Sequence, residues 1–576
     1  MTMELRHSKH RRGVLAVSVL VLSAGVAFAA ERVVAPGKQP TTNAPPEVAA
    51  IGLTPQEIIA HQDRLHAWLM LEMPAGALER PVTVQLTDAE IAELTSTDPT
   101  DPGPLRVGFV KPVSPALDVS NLNPKLLNGH ALRDSTGVLR KTDDGGFVWA
   151  TSVTSEGAGG LRVHFTNFSL PDDVDMYVFS EEGEAYGPYQ RTGPDGSGDF
   201  WSNTVMSETA IVLVRHFGPN GAADLGKMSF TISDVGHIGL LFFNAGGDGG
   251  VASFCTFNNP CVENTNCVNE ATVNDAENAV AKMLWISGCC INTCSGGLIA
   301  DTDTGSQIPY FLTANHCLSR DNQASNLEAF FKYQVSCGTT SCTGTFTDPP
   351  NSLISGKTLG ATVKATGSDG DFTLLQLSQT PPAGSVLLGW NSSAIAFTNG
   401  AALHRISHPS GAPQAYSSHT VNTSKPQCQG WERGERIYSA DNLGATEGGS
   451  SGSPVVNAAG EVVGQLSGCC GFNCGDECDT ASNATVDGAL AHYFPSVEPF
   501  LDPAGCTPST EVCNDSLDND CDTAVDCNDS DCTGDPACGG GECVNPGGLP
   551  VGSSCTADSQ CCSNKCKGPP SGKTCR

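Results

Sequence analysis

No cysteine occurs in the first 254 residues of this 576-residue chain, although 26 follow from Cys255 onward. Charge is scarce too. Only 16% of residues are charged, and 31 Lys and Arg stand against 62 Asp and Glu, for a formal net charge of −31. That sign disfavours phosphate backbones and anionic bilayers as partners. Long apolar runs are missing beyond the N-terminus: no later stretch approaches the roughly 18 residues that span a bilayer. Helical periodicity is sparse as well. The 64 glycines and 36 prolines suit a β-rich, loop-rich chain of about three to five domains rather than helical bundles.

What is present begins with an export pattern. Arg6, Lys9, Arg11 and Arg12 precede an apolar run from Gly13 to Val26, and Ala27-Phe28-Ala29 offers a small-residue cleavage site. Residues 1–29 therefore read as a signal peptide and the mature protein as soluble and secreted. An oxidising destination makes disulfides the first reading of the cysteines. A metal site built from Cys469, Cys470, Cys474 and Cys478 is the second.

Residues 30 to about 53 are rich in Pro, Ala and Thr and read as a linker. Thr54-Pro55-Gln56-Glu57 is a capping box with proline at the first helical position, so a helix is expected to about Met70, and Thr87-Asp88-Ala89-Glu90 starts a shorter one. From Phe147 to about Asp234 strand-like alternation, as in Leu161, Val163 and Phe165, is broken by Gly- and Asp-rich turns, which predicts a β-sandwich. The glycine run at 244–250 reads as an exposed hinge. Residues 251–503 suffice for two small β-barrels. An Asp/Cys-rich module (504–540) and a six-cysteine module (541–576) follow.

Three segments in the 251–503 span carry chemistry. Gly448-Gly449-Ser450-Ser451-Gly452-Ser453-Pro454 presents a serine on a tight loop whose glycines leave backbone N–H groups unobstructed. Leu312-Thr313-Ala314-Asn315-His316-Cys317 supplies a histidine, and Gly370-Asp371-Phe372-Thr373-Leu374-Leu375 an aspartate. A neutral hydroxyl needs a base at pH 7. In this reading His316 takes the proton of Ser451, Asp371 fixes the imidazole tautomer, and the N–H groups of Gly449 and Ser451 hold the oxyanion. The order His, Asp, Ser differs from that of subtilisins and α/β-hydrolases. A competing esterase reading makes Ser450 the nucleophile of G-x-S-x-G, with His492 as a late base. That elbow needs a helix immediately afterwards, whereas Pro454-Val455-Val456 favours a turn and a strand.

The flanks resemble the chymotrypsin fold and, within it, the bacterial lysyl endopeptidase group. The similar stretches are Cys261-x5-Cys267, Tyr310 to Ala314, Asp371 to Leu375, Gly449 to Pro454 and Val463-Gly464-Gln465-Leu466. The resemblance implies disulfides Cys294–Cys317 and Cys267–Cys337, with Cys261 reaching the Cys469–Cys474 cluster. It also implies that the β-rich N-terminal region is a propeptide that assists folding and blocks premature activity. Departures bear on specificity. Ser467 replaces a histidine, and Thr485 stands where the group reads lysine with an aspartate. Asp487, two residues on, and Ala445, six before the nucleophile, complete the candidate pocket. Strict lysine specificity is not expected. Ser467 has a second reading, as a partner of the catalytic aspartate.

In the acidic module Asp518, Asp520, Asp522, Asp526 and Asp529 fall at positions 1, 3, 5, 9 and 12 of a calcium loop, but Thr523 replaces the glycine of an EF-hand. Ca²⁺ binding and a disulfide-stapled spacer are its two readings. The last module resembles a knottin. The expected architecture is therefore mostly β: a β-sandwich-like propeptide, a chymotrypsin-like double β-barrel, and small disulfide-rich modules. The expected function is a secreted, monomeric serine endopeptidase acting on protein or peptide substrates without a catalytic cofactor. A non-catalytic adhesion protein on a protease scaffold is the alternative from another class.

Overall fold

The computed structural model describes residues 42–49, 52–94, 104–120, 122–127, 130–239, 260–303, 306–338, 356–471 and 474–503, with two short paired strands, Cys566–Lys567 and Thr574–Cys575. The signal, the 244–250 hinge and Asp518, Asp520, Asp522, Asp526 and Asp529 lie outside the described residues.

The N-terminal region is a two-layer β-structure. One sheet runs Ala185–Tyr189, Val174–Phe179, Thr209–His216, Phe147–Ser155, Val138–Lys141, Leu132–Arg133. The other runs Phe200–Trp201, Ala158–Ser169, Ser229–Gly239, Leu105–Ser120. Alternate residues of both sheets share one core: Trp149, Val212 and Val214 from the first meet Val163, Phe165, Phe230 and Ile232 from the second, as period-2 patterning requires. Helix Pro55–Glu72 starts with the Thr54/Glu57 capping box, and Thr87 with Glu90 repeats it before Asp88–Leu94.

Two barrels follow. In the second, Ala402–Ser407, Ala415–Val421, Arg436–Leu443, Ala484–Ala489, Val462–Cys470 and Pro454–Asn457 pair in turn and close on the first strand. In the first, Glu328–Phe331, Val280–Ser287, Cys290–Leu298, Tyr310–Ala314, Phe372–Leu377 and Ala361–Gly367 pair in sequence. Lys357–Leu359, paired to Glu328–Phe331, runs into Ala361–Gly367 through Gly360 at φ +85, a left-handed bend that suits glycine.

The N-terminal sheet does not stop at its own domain. Strand Leu105–Ser120 pairs with Cys290–Leu298, so the sandwich and the first barrel share a continuous sheet. Their junction is ionic and closed to water. Fully buried Arg162 lies 3.9 Å from Glu328, Lys357 lies 3.8 Å from it on the other side, and Thr204 N–H donates to its Oε1 at 2.9 Å. The stretch read as a linker is also structured. Asn43–Ala44 pairs with Trp390–Asn391 and Glu47–Val48 with Val386–Leu387, and Ala44 and Ala49 enter a core that both barrels share.

Beside this junction, burial pushes the Glu184 carboxyl up to about 7, against the opposing charge of Lys357 and the Met206 N–H bond. A raised carboxylate favours the folded state only while both states are protonated. Its contribution, at most about 3 kcal/mol, is therefore full below about pH 4.5 and is lost as pH rises to about 7. Glu184→Gln is expected to flatten stability across that window, as read from urea midpoints at a series of pH values.

Candidate active site

His316 follows the buried strand Tyr310–Ala314, and Asp371 precedes the partner strand Phe372–Leu377, so antiparallel pairing of Ala314 with Phe372 brings the two together. The His316 backbone N–H donates to Asp371 Oδ1 at 3.0 Å and its Nδ1 contacts Oδ2 at 2.9 Å. With Nδ1–H committed to the carboxylate, Nε2 is left as the acceptor; it lies 3.8 Å from the Cys317 sulfur, which is in a disulfide and has no proton to give. Asp371 itself sits at φ +51, a left-handed conformation that Asp tolerates better than most residues. It is held from behind: Gln465 Nε2–H donates to Asp371 O at 2.8 Å and to Gly370 O at 3.1 Å, and Tyr493 OH donates to Gln465 Oε1 at 2.6 Å. Tyr493 stacks on Phe372 with ring centroids 4.2 Å apart.

The two adjacent serines part company. Ser450 is fully buried, its hydroxyl accepting from Ser407 Oγ–H at 3.0 Å and from Glu447 N–H at 3.3 Å. Ser451 lines a cleft of about 670 Å³ together with His316 and Asp371. Pro454–Asn457 after it is a strand, not a helix, and His492 pairs with Asp369 at 3.4 Å away from the cleft wall. The elbow geometry that an esterase reading of Ser450 needs is therefore missing. Gly449 adopts φ +94, and a Cβ there would lie 2.9 Å from His408 O. Among the described residues neither the Gly449 nor the Ser451 N–H is spent on an internal acceptor.

Residues 252–484 match the family model described as the lysyl endopeptidase C-terminal domain. The chain is a serine endopeptidase. It is 27% identical over 392 residues to a lysyl endopeptidase of Pseudomonas aeruginosa, a match covering 66% of this chain and 77% of that protein. Solved structures align over less of it. The HtrA-type protease AlgW with tripeptide covers 41% of this chain and 64% of its own, at 16% identity and a TM-score of 0.27. The M. tuberculosis protease Rv3671c in its active form covers 42% and 91%, at 16% identity and a TM-score of 0.26.

Of the four expected pocket residues only Ser467 lines the cleft of the endopeptidase. Among the described residues its hydroxyl finds no partner and does not bond the Asp371 carboxylate, so that second reading is corrected; Gln465 holds the Asp371 backbone carbonyl. Asp487 is fully buried against the Arg405 guanidinium at 2.5 Å, Thr485 Oγ1–H donates to Asp441 Oδ1 at 2.6 Å, and Ala445 packs on Val262 and Ala415. None of these three lines the cleft. The walls include Gln429, Trp431, Glu447 and Glu477, which sequence reasoning did not single out. Trp431 covers Gly468, whose missing Cβ would lie 3.5 Å from the indole.

Cys294 pairs with Cys317 and Cys267 with Cys337. The expected link from Cys261 to the Cys469–Cys474 cluster is corrected: Cys261 pairs with Cys478, while Cys469 and Cys474 pair with each other. Cys470 pairs with Cys428, so all four cysteines weighed as metal ligands are in disulfides.

Proposed function

We propose that the endopeptidase cleaves peptide bonds through an acyl-enzyme on Ser451, with His316 as general base and acid and Asp371 as the group that orients it. The observation that carries this reading is the contrast between cleft-lining Ser451 and buried Ser450, beside a His316 whose Nδ1 is 2.9 Å from Asp371. Ser451 Oγ attacks the scissile carbonyl carbon while its proton passes to His316 Nε2. The negative charge on the carbonyl oxygen is met by the Gly449 and Ser451 N–H groups. Collapse breaks the C–N bond as His316 returns the proton to the leaving amine, and water deacylates Ser451 by the same proton path.

The N-terminal sandwich, joined to the first barrel by a shared sheet, acts in this reading as a propeptide and folding partner. Secretion follows from the export pattern and agrees with six disulfides among the described residues. The Asp-rich module remains a candidate Ca²⁺ binder from its carboxylate spacing alone.

A fluorophosphonate probe applied to the processed protein, followed by a mixed peptide library, tests the assignment. Labelling at Ser451 with cleavage of the library is expected, and the products report which side chain the Trp431, Glu447, Ser467 and Glu477 walls prefer. An unlabelled, inert protein would favour the non-catalytic scaffold instead.

A further inference from the structure

The loop Glu447–Ser451 rests on a second loop, 408–412, that takes no part in the chemistry above. Ser410 N–H donates to Gly448 O at 2.6 Å, and Ser410 Oγ–H donates to Glu447 Oε2 at 2.7 Å. From below, Ser295 Oγ–H donates to Gly449 O at 2.8 Å and accepts the His408 N–H at 2.9 Å, while Ser295 N–H donates to Ser451 O at 2.9 Å. The supporting loop is itself fixed. The His408 imidazole, which burial pushes down to about 3, stays neutral and contacts Ala412 O through Nδ1 at 2.9 Å. Ser410 is held at φ +52, and Gly449 approaches so closely that a Cβ would lie 3.0 Å from Gly411 N.

These contacts act on the direction of the oxyanion donors. The peptide bond is planar and trans, so a C=O and the next residue's N–H point in opposite directions. Pinning Gly448 O inward on Ser410 turns the Gly449 N–H outward toward the cleft. Pinning Gly449 O on Ser295 keeps the following peptide from rotating, and Ser453 N–H, bonded to Ser450 O at 3.1 Å, sets the Ser451 donor in the same way. Ser295 is fully buried and cannot touch substrate.

We infer that Ser295 and Ser410 are positioning residues for the oxyanion site, holding the Gly448–Gly449 and Gly449–Ser450 peptides so that the Gly449 and Ser451 N–H groups face the developing charge. This rests on the proposed function, since it needs an oxyanion at that place. Ser295→Ala is the direct probe, because the bond it removes is the one to Gly449 O; Ser410→Gly keeps the backbone N–H on Gly448 O and tolerates φ +52, so it tests only the hydroxyl that ties Glu447 to the supporting loop. Ser295→Ala removes the support under Gly449.

Loss of a whole oxyanion donor costs about 10²–10³ in kcat, so a displaced donor is expected to cost about tenfold. The measurement is kcat and KM on a matched pair of oxo- and thiono-ester substrates, with unfolding midpoints alongside. Both variants should lose kcat with KM within about twofold, and both should narrow the wild-type preference for the oxo-ester. An unchanged oxo/thiono ratio in both variants overturns the inference, whatever happens to stability. If Ser295→Ala does not fold, Ser295→Cys, whose thiol keeps the volume but is a weaker donor to Gly449 O, decides. Wild type that turns over neither ester fails the proposed function instead, and that outcome is visible before any variant is compared.

Discussion

Ser451→Ala is expected to lower kcat/KM for peptide cleavage by about a million-fold, to what binding and the oxyanion site alone sustain, while Ser450→Ala still turns over. The difference follows from where the two hydroxyls point. Ser451 lines the cleft with His316, whereas Ser450 is buried and bonded to Ser407 and the Glu447 N–H. Removing the Ser450 hydroxyl leaves a buried donor without its acceptor, which costs about 1–3 kcal/mol of stability and no nucleophile. Steady-state kinetics on a peptide from the library and urea unfolding of both variants read the two effects separately. Equal loss of turnover in both variants sinks the assignment of Ser451.

The residues proposed to carry the chemistry stand out in the sequence because their signals are local. Glycines flanking a serine, an Asn-His-Cys after an apolar strand and an Asp before another each identify a position without knowledge of the rest of the fold. The pocket was not legible, because a strand shows alternate residues to opposite faces and register decides which. Thr485 and Asp487 share one face of Ala484–Ala489, and that face meets Asp441 and Arg405 inside the barrel. Ala484 and Val486, on the other face, pack with Tyr438. Counting positions from Ser451 cannot see that. Gln465 was quoted within Val463-Gly464-Gln465-Leu466, yet its grip on Asp371 depends on Tyr493 and on a bend at φ +51 that no pattern announces.

The partner of Cys261 was missed for a related reason. Cys261 and Cys478 are 217 residues apart, and spacing offers no preference between Cys478 and its neighbours Cys469, Cys470 and Cys474. Residues 43–48 looked like a linker because two-residue strands have too few positions to show a period, and their burial is supplied by the surface they dock on. The capping boxes, by contrast, needed only four consecutive residues, and both helices start where Thr54 and Thr87 place them.

The same distinction between local and assembled information governs the junction of the sandwich with the first barrel, where Glu328→Ala is expected to cost about 3–5 kcal/mol of stability. Burial raises the Glu328 carboxyl, but the charges of Lys357 and Arg162 and the bonds from Thr204 outweigh it and hold the group below its ordinary range. It is ionised and satisfied only because residues from both domains surround it: Arg162, Asn203 and Thr204 from the sandwich, Lys357 from the barrel. Deleting it leaves Arg162 and Lys357, both within 1% of full side-chain burial, with only the Glu184 carboxyl near Lys357 as a counter-charge. Burying charge in this way is a poor source of stability, so replacing Arg162, Glu328 and Lys357 together by apolar residues of similar volume should come out near neutral. The role this predicts for the cluster is to set how the two domains fit each other, because each supplies groups whose burial only the other compensates. Urea unfolding of the full chain in a Ser451→Ala background, which on the proposed mechanism prevents self-cleavage, measures both variants. A single-variant cost under about 1 kcal/mol, the range of an exposed pair, would show that the junction is wet and that the sandwich does not depend on it.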